Sequence, residues 1–394
     1  MQITRIKPGG WVIILLLIAA LFFGVRHVIP HGNVAPANGG GGGDTAASTG
    51  GGLTTDQAAN GDILVSTTGT KQKWMQAEID KFNGQASGGK VSLQLAESRD
   101  ALHSILDGKQ KPVLWSPSSP VWVYQLAAVW PGAHGGAQVA DVNSSQSYRT
   151  LFKSPLVFLT TKKKAAYLKP ILTGPNPWEA VRQHSLGQRK TPWGSFHFAY
   201  ADPLNASSGL LTMSLILNGY VQSHGGADPV AAAATPAFAT YLSQVNRAFV
   251  RDPAATGSSA LEKAYRADPS SRDFITAYEN AALAAVEADP NLVIIYPNPT
   301  ANADQAIYQL SGPWVSDSQK TTAAAFLDFV SKPSAQDDGV QYYFRPAQNG
   351  AQTLSARLSP SARAQYQGSY SSIDLPPYDA LNEAAAQWRL QMKQ

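Results

Sequence analysis

The sequence predicts an α/β protein with largely parallel sheets, and three observations lead there. Short apolar runs repeatedly end in Ser or Thr, each is followed by apolar residues at helical spacing, and glycines close several of those segments. At 394 residues the chain is long enough for a large core and more than one domain.

Taken in order, the chain begins with Arg5 and Lys7 ahead of an unbroken apolar run, Trp11–Val25. The run is short for a membrane span, although Gly9 and Gly10 can extend it. Two readings stay open: an uncleaved single-pass anchor in the cell membrane, or a signal peptide cut after Ala35-Pro36-Ala37 that releases a secreted protein. Arg26 and His27 follow the run closely while the cut site lies well beyond it, which favours the anchor. The leading basic residues keep that end inside the cell under both readings, so the remainder is exported. Residues 1–28 are assigned to this segment. Residues 29–61 are rich in Gly, Ala, Ser and Thr with little to bury, and read as a flexible tether.

Folded structure is expected from Asp62. "DILVSTTGT" is a buried strand ending in hydroxyls, and "KWMQAEIDKFNG" a helix closed by Gly84. "KVSLQLAE" is a strand, and "SRDALHSILDGK" a helix capped by Ser98 and ended by Gly108. "PVLWSPSS" ends in another hydroxyl turn before the helix that opens "PVWVYQLAAVW". The same alternation returns in "SPLVFLTTKKKAAYL", "FHFAYADPLNASS", "DFITAYENAALAAVEA" and "LVIIYPN". In such sheets ligands collect beyond the carboxyl ends of strands, where this chain places its hydroxyls.

Composition narrows the function. The formal net charge is +4 with no basic stripe interleaved with aromatics, so nucleic acid is not an expected partner. Cysteine is absent, which excludes disulfides, thiolate chemistry and Cys-ligated metal. The sequence has no Gly-x-Ser-x-Gly elbow, His-Glu-x-x-His, Walker loop or EF-hand pattern. The seven histidines are scattered, so neither catalysis nor a metal or other cofactor is expected. The Lys162–Lys164 run reads as a solvated charge run, and Trp115, Trp122 and Trp193 as packing residues.

The exported α/β pattern, "ILVSTTGTKQKWMQAEIDKFN", "VLWSPSSPVW", "ADPLNASSGL", "AYENAAL" and "WVSDSQKTTAAAFLDFVSKPSAQ", in this order over Asp62 to Ala347, resemble a bacterial extracellular solute-binding protein. The likeness is to the type II periplasmic-binding fold, in its molybdate- and sulfate-binding-like branch. It implies two lobes joined by two crossing strands, near Leu156–Thr160 and Ile295–Pro299. Lobe 1 would comprise 62–156 and 300–394, and lobe 2 would comprise 157–299. It also implies an ABC permease or envelope partner that takes up a small ligand, an oxyanion being favoured. A lipid-anchored Cys, usual in Gram-positive members, is missing, and the membrane helix would replace it.

The same resemblance implies the site. Ser66, Thr67 and Thr68 match the first hydroxyl turn and Ser98 the second, with Ser116 in the third. Asn205, Ser207 and Ser208 match the turn of the second lobe, and Tyr278 a tyrosine near the second crossing. Helix N-termini and hydroxyls supply oriented donors without formal charge, which suits a bare oxyanion. Ser and Thr also cap helices anywhere, so each turn alone is equally explained by capping. Arg99 lies beside the second turn, either reaching an anion or facing solvent. Asp202 and Glu279 pull the other way: a carboxylate in the cleft would repel a fully ionised ligand and favour phosphate or an organic solute. A membrane-tethered sensor or envelope accessory protein is the alternative role for the same domain.

Overall fold

The computed structural model describes residues 53, 60–85, 88–253, 255, 257–348 and 352–393. The expected anchor and nearly all of the tether lie outside the described residues. Among the described residues no helix is long and apolar enough to cross a membrane.

Strand β1 (Ile63–Thr67) is buried throughout and leads through a 3-10 turn, Gly69–Lys71, into α1 (Gln72–Gln85). Then come β2 (Val91–Leu95), α2 (Ser98–Leu106), β3 (Leu114–Ser116) and α3 (Val121–Ala133). The long β4 (Tyr148–Thr161) is followed by α4 (Lys162–Leu172), α5 (Pro177–Ser185), β5 (Phe198–Ala199) and α6 (Ser207–Ser223). Next are α7 (Pro236–Val245), α8 (Ser258–Ala267), β6 (Phe274–Tyr278), α9 (Glu279–Ala288) and β7 (Leu292–Ile295). The chain continues with β8 (Asn302–Gln309), α10 (Asp317–Val330), α11 (Pro333–Val340), β9 (Arg345–Pro346) and α12 (Tyr378–Gln391).

Strand β4 belongs to two sheets. Its first half, through Pro155, pairs with β8 in a sheet ordered β2-β1-β3-β8-β4. From Leu156 onward it pairs with β6, and from Phe158 with β7, in a second sheet that adds β5 beside β6. The second crossing, 296–301, returns from β7 to β8 and is tied to the first. The Leu156 N–H donates to Ala301 O at 2.8 Å, and the Thr300 hydroxyl donates to Leu156 O at 2.5 Å.

The expectation of largely parallel sheets needs correction. Strands β1–β2, β1–β3 and β5–β6 are parallel, but β4 runs antiparallel to β6, β7, β8 and β9, as does β8 to β3. Each crossing strand enters a sheet from the other lobe rather than through a helical crossover, so it is free to run against its neighbours.

Each half has its own core. Trp74, Phe152, Phe326 and Ile307 fill the first, and Phe158, Phe198, Phe274 and Trp178 the second. Helix α1 runs through Gly84 rather than stopping there. The C-terminal segment also departs from expectation. Leu354, Leu358 and Ala362 pack on Ala282 and Val286 of α9 in the second half. Helix α12 lies on α6, α7 and the short helix Pro229–Ala233, and reaches α3 of the first half. Thus residues 354–391 do not return wholly to the first lobe, because the apolar face Ala380, Ala384 and Trp388 completes the second core.

Candidate functional site

The first half brings three polar turns together. Thr68 follows β1, and its hydroxyl shares a 2.8 Å hydrogen bond with the Ser118 hydroxyl in the turn before α3. The Ser118 N–H donates to Ser98 Oγ, at the start of α2, at 3.2 Å. All three residues are buried. Neighbouring hydroxyls are used otherwise. Thr67 donates to Ser116 O and Ser116 to Ala306 O, each at 2.8 Å, so both tie strands together rather than face outward. The Ser66 and Ser119 hydroxyls are buried without a partner. Ser66 alternates with Thr67 along the strand and points to the opposite side.

The second half answers from across the cleft. Ser207 and Ser208 open α6; Ser207 Oγ accepts from Trp122 Nε1 at 2.7 Å, and Ser208 Oγ meets Ser258 Oγ at 2.7 Å. Trp122 belongs to α3, so the first of these bonds joins the two halves, and this tryptophan does more than fill the core. A second polar bridge runs from the Arg99 guanidinium to Asn205 Oδ1 at 2.6 Å. Gly209 lets α6 begin here: a Cβ would lie 2.3 Å from Ala201 O and 2.7 Å from the Pro203 backbone.

Tyr278 closes the group. It ends β6, paired with Leu156 of the first crossing rather than the second. Its hydroxyl makes no hydrogen bond of normal geometry but lies against Ser207, Ser258 and Ser118, the last from the other half. Burial pushes the phenol well above its ordinary range, so it remains a donor at physiological pH.

Capping is not what these hydroxyls do. Helix α2 is preceded by Glu97, α6 by Ala206, α8 by Gly257 and α9 by Tyr278, and none of them makes a side-chain cap bond. Ser98 is therefore the first residue of its helix rather than its cap. Some helix starts elsewhere do carry a side-chain cap: Asn176 accepts from Glu179 N, Thr235 from Phe238 N, and Ser316 forms a full capping box with Gln319.

Both troublesome acids turn away. Asp202 accepts from Leu204 N at 2.8 Å and Asn205 Nδ2 at 3.1 Å, stabilising its own turn. Glu279, buried as the first residue of α9, takes both Nε and a terminal nitrogen of Arg345 and the Tyr296 hydroxyl. Glu97 is the carboxylate whose field reaches Tyr278, and it remains exposed. Of the Lys162–Lys164 run, Lys162 and Lys163 lie toward solvent while Lys164 pairs with Asp273 at 2.9 Å. Among the described residues no group of three His, Cys, Asp or Glu side chains is placed to hold a metal ion. A cavity of about 410 Å³ lies apart from the hydroxyls, between Tyr296–Asn298 of the second crossing and Gln367–Ser371.

Ser118 and Ser258 join the candidate site although the sequence did not single them out, and Trp122, read from sequence as packing, joins it through Ser207. The two serines had the same signal as those chosen, a hydroxyl at a strand-to-helix turn. Trp122 had none, since its partner is distant in sequence.

The profile of the bacterial extracellular solute-binding proteins matches residues 63–345. The chain matches no curated protein significantly. Among solved structures, it is similar to a ferric binding protein from Campylobacter jejuni, with 13% identity and a TM-score of 0.58 over 84% of this chain and 98% of that one. It is also similar to iron-bound HitA from Pseudomonas aeruginosa, at 14% identity and a TM-score of 0.56 over 84% and 99%. A third likeness is to the sulfate-binding protein SubI from Mycobacterium tuberculosis, at 16% identity and a TM-score of 0.51 over 84% and 99%. These likenesses establish the type II periplasmic-binding fold, and the profile match over most of the length establishes the lineage: the chain belongs to the bacterial extracellular solute-binding proteins, which bind solutes rather than transform them.

Proposed function

We propose that this protein is the membrane-tethered receptor of an ABC-type uptake system and closes over a small oxyanion. One observation carries the ligand class. Hydroxyls from both halves gather at helix starts that they do not cap, although the chain does use side-chain caps at Asn176, Thr235 and Ser316. Ser98, Thr68 and Ser118 on one side and Ser207, Ser208, Ser258 and Tyr278 on the other form the donor set. A tetrahedral anion between them would exchange bonds such as Thr68–Ser118 and Ser208–Ser258 for charge-assisted ones, which are roughly twice as strong. Glu279 and Asp202, the two acids that would have favoured a protonated phosphate or an organic solute, are both taken up elsewhere, and Glu97 is the carboxylate left near the hydroxyls.

Thermal unfolding of the full-length chain with sulfate, molybdate, phosphate, sugars and amino acids tests the reading. At a concentration of about 100 Kd a true ligand stabilises by about 2.7 kcal/mol. A flat response to sulfate, molybdate and phosphate refutes the oxyanion class.

A further inference from the structure

Lys71 ends the 3-10 turn after β1 and is completely buried. Its ammonium meets no carboxylate. It donates to Pro117 O and to Gln305 Oε1, each at 2.7 Å. Gln305, also completely buried, turns its amide to Ser118 O at 3.2 Å. Lys71 and Gln305 thus hold the two carbonyls flanking the Ser118 turn from behind, and the Lys71 N–H is bonded to Thr68 O at 3.1 Å. Thr68 and Ser118 are the hydroxyls that the first half presents to the cleft, so the cation stands one peptide behind them.

We propose that Lys71 is the buried counter-charge of the hydroxyl-lined site, so that an anion held between the halves binds together with a proton on Lys71. The proposal rests on the oxyanion reading and adds to it a specificity residue that never touches the ligand. A lone buried ammonium is costly, and an uncharged carbonyl and amide compensate it only in part. An anion one peptide away supplies what is missing. Burial alone pushes the Lys71 pKa down to about 7, so ligand-free protein near neutrality is poised between its two protonation states.

No carboxylate bonds the Lys71 ammonium, but neighbouring elements do carry titratable groups: burial raises the carboxyls of Glu97, beside Ser98 on α2, and of Asp304 and Glu78. Strand β1 carries none from Ile63 to Thr67, and the turn between β3 and α3 none from Leu114 to Val123. On β8, Asp304 is engaged by Asn302 and lies in the field of Lys153. On α1, Lys73 is exposed and Glu78 is paired with Lys81.

Calorimetry on the full-length chain with sodium sulfate and sodium molybdate decides the matter. Both anions stay fully ionised from pH 6 to 9, so any linkage belongs to the protein. Titrations in two buffers of different ionisation enthalpy should show proton uptake on binding. Affinity should fall about tenfold or more between pH 7 and 9. Lys71→Met should abolish the uptake and weaken sulfate about tenfold or more, the scale of a unit charge near a partly screened site. Gln305→Glu sets a carboxylate on the ammonium and keeps it charged, so it should also flatten the pH dependence, and it serves if Lys71→Met fails to fold. Sulfate and molybdate binding that is independent of pH, without proton uptake, overturns the role of Lys71 and leaves the oxyanion reading intact. No binding of either anion at any pH overturns both.

Discussion

Replacing Glu279 by Gln separates a hinge residue from a ligand residue. In the native protein the Glu279 carboxylate is 1% exposed and the Arg345 side chain 12%. Two guanidinium nitrogens and the Tyr296 hydroxyl converge on it. Arg345 sits on β9 against β4 at the first crossing, so this pair ties the start of α9 to the crossing strand. Gln keeps the shape but removes the charge, leaving Arg345 without its counter-ion. Breaking a buried pair in this way costs about 3–5 kcal/mol. The lower end is expected, because Arg345 keeps the Gln367 and Gly368 carbonyls and rests on the rings of Tyr366 and Tyr370 at 4.5 and 5.0 Å. Urea unfolding should therefore show a loss of about 3 kcal/mol. Calorimetry with sulfate on the folded variant should show less than a tenfold change, since Glu279 and Tyr278 lead to opposite sides. Unchanged stability with an affinity loss of about a hundredfold would refute the assignment and make Glu279 a ligand contact.

Three further variants and one titration follow from the same structure. Replacing Ser207 and Ser208 together by Ala should weaken sulfate binding by about 1.5–3 kcal/mol per lost charge-assisted bond, measured by calorimetry. Thr235→Ala, at a true cap, should cost about 1 kcal/mol in unfolding and leave affinity alone. Gly209→Ala should displace the start of α6, because the atoms in its way are backbone, and a lowered melting point with weakened sulfate binding should report it. Ligand-free stability should rise from pH 7 toward 10: the unfolded chain keeps the Lys71 proton to about 10.5 while the folded chain releases it near 7. The rise is at most about 1.4 kcal/mol per pH unit and should be missing from Lys71→Met in urea titrations at each pH.

Much of the fold was legible because it is written locally. The alternation of apolar runs, hydroxyl turns and helical spacing marks β1–α1, β2–α2 and β3–α3 without reference to anything distant. Strand direction is not written there: β4 has the period of any buried strand, and only its passage between two sheets makes it antiparallel to four neighbours. The candidate hydroxyl turns were legible to the same depth. Thr68, Ser98, Ser207, Ser208 and Tyr278 sit where a strand hands over to a helix. Thr67 and Ser116 have the same signature but spend their hydroxyls on strand carbonyls, which only the pairing of strands distant in sequence decides. Lys71 carried no signal at all, because a lone lysine after a strand is ordinarily solvated.

The contacts that join the two halves near the hydroxyls differ from those farther out, and the difference bears on how a receptor of this kind would open. At the hydroxyls the halves meet through single polar bonds, Trp122 to Ser207 and Arg99 to Asn205. Water replaces such bonds at a net cost of only about 0.5–1.5 kcal/mol each, somewhat more where a charge is involved. Farther out, Leu381 and Ala385 of α12 join the apolar cluster of Trp122, Val123 and Leu126, while the adjacent face of α12, Ala380, Ala384 and Trp388, is fixed in the second core. Parting that seam exposes hydrocarbon at about 25 cal/mol per Å², so it resists more than the polar bonds do. Opening should therefore begin at the hydroxyls and pivot about the seam and the tied crossing strands. Deuterium exchange should then show the starts of α2 and α6 exchanging before α12. Faster exchange in α12 than at those two helix starts would refute that order.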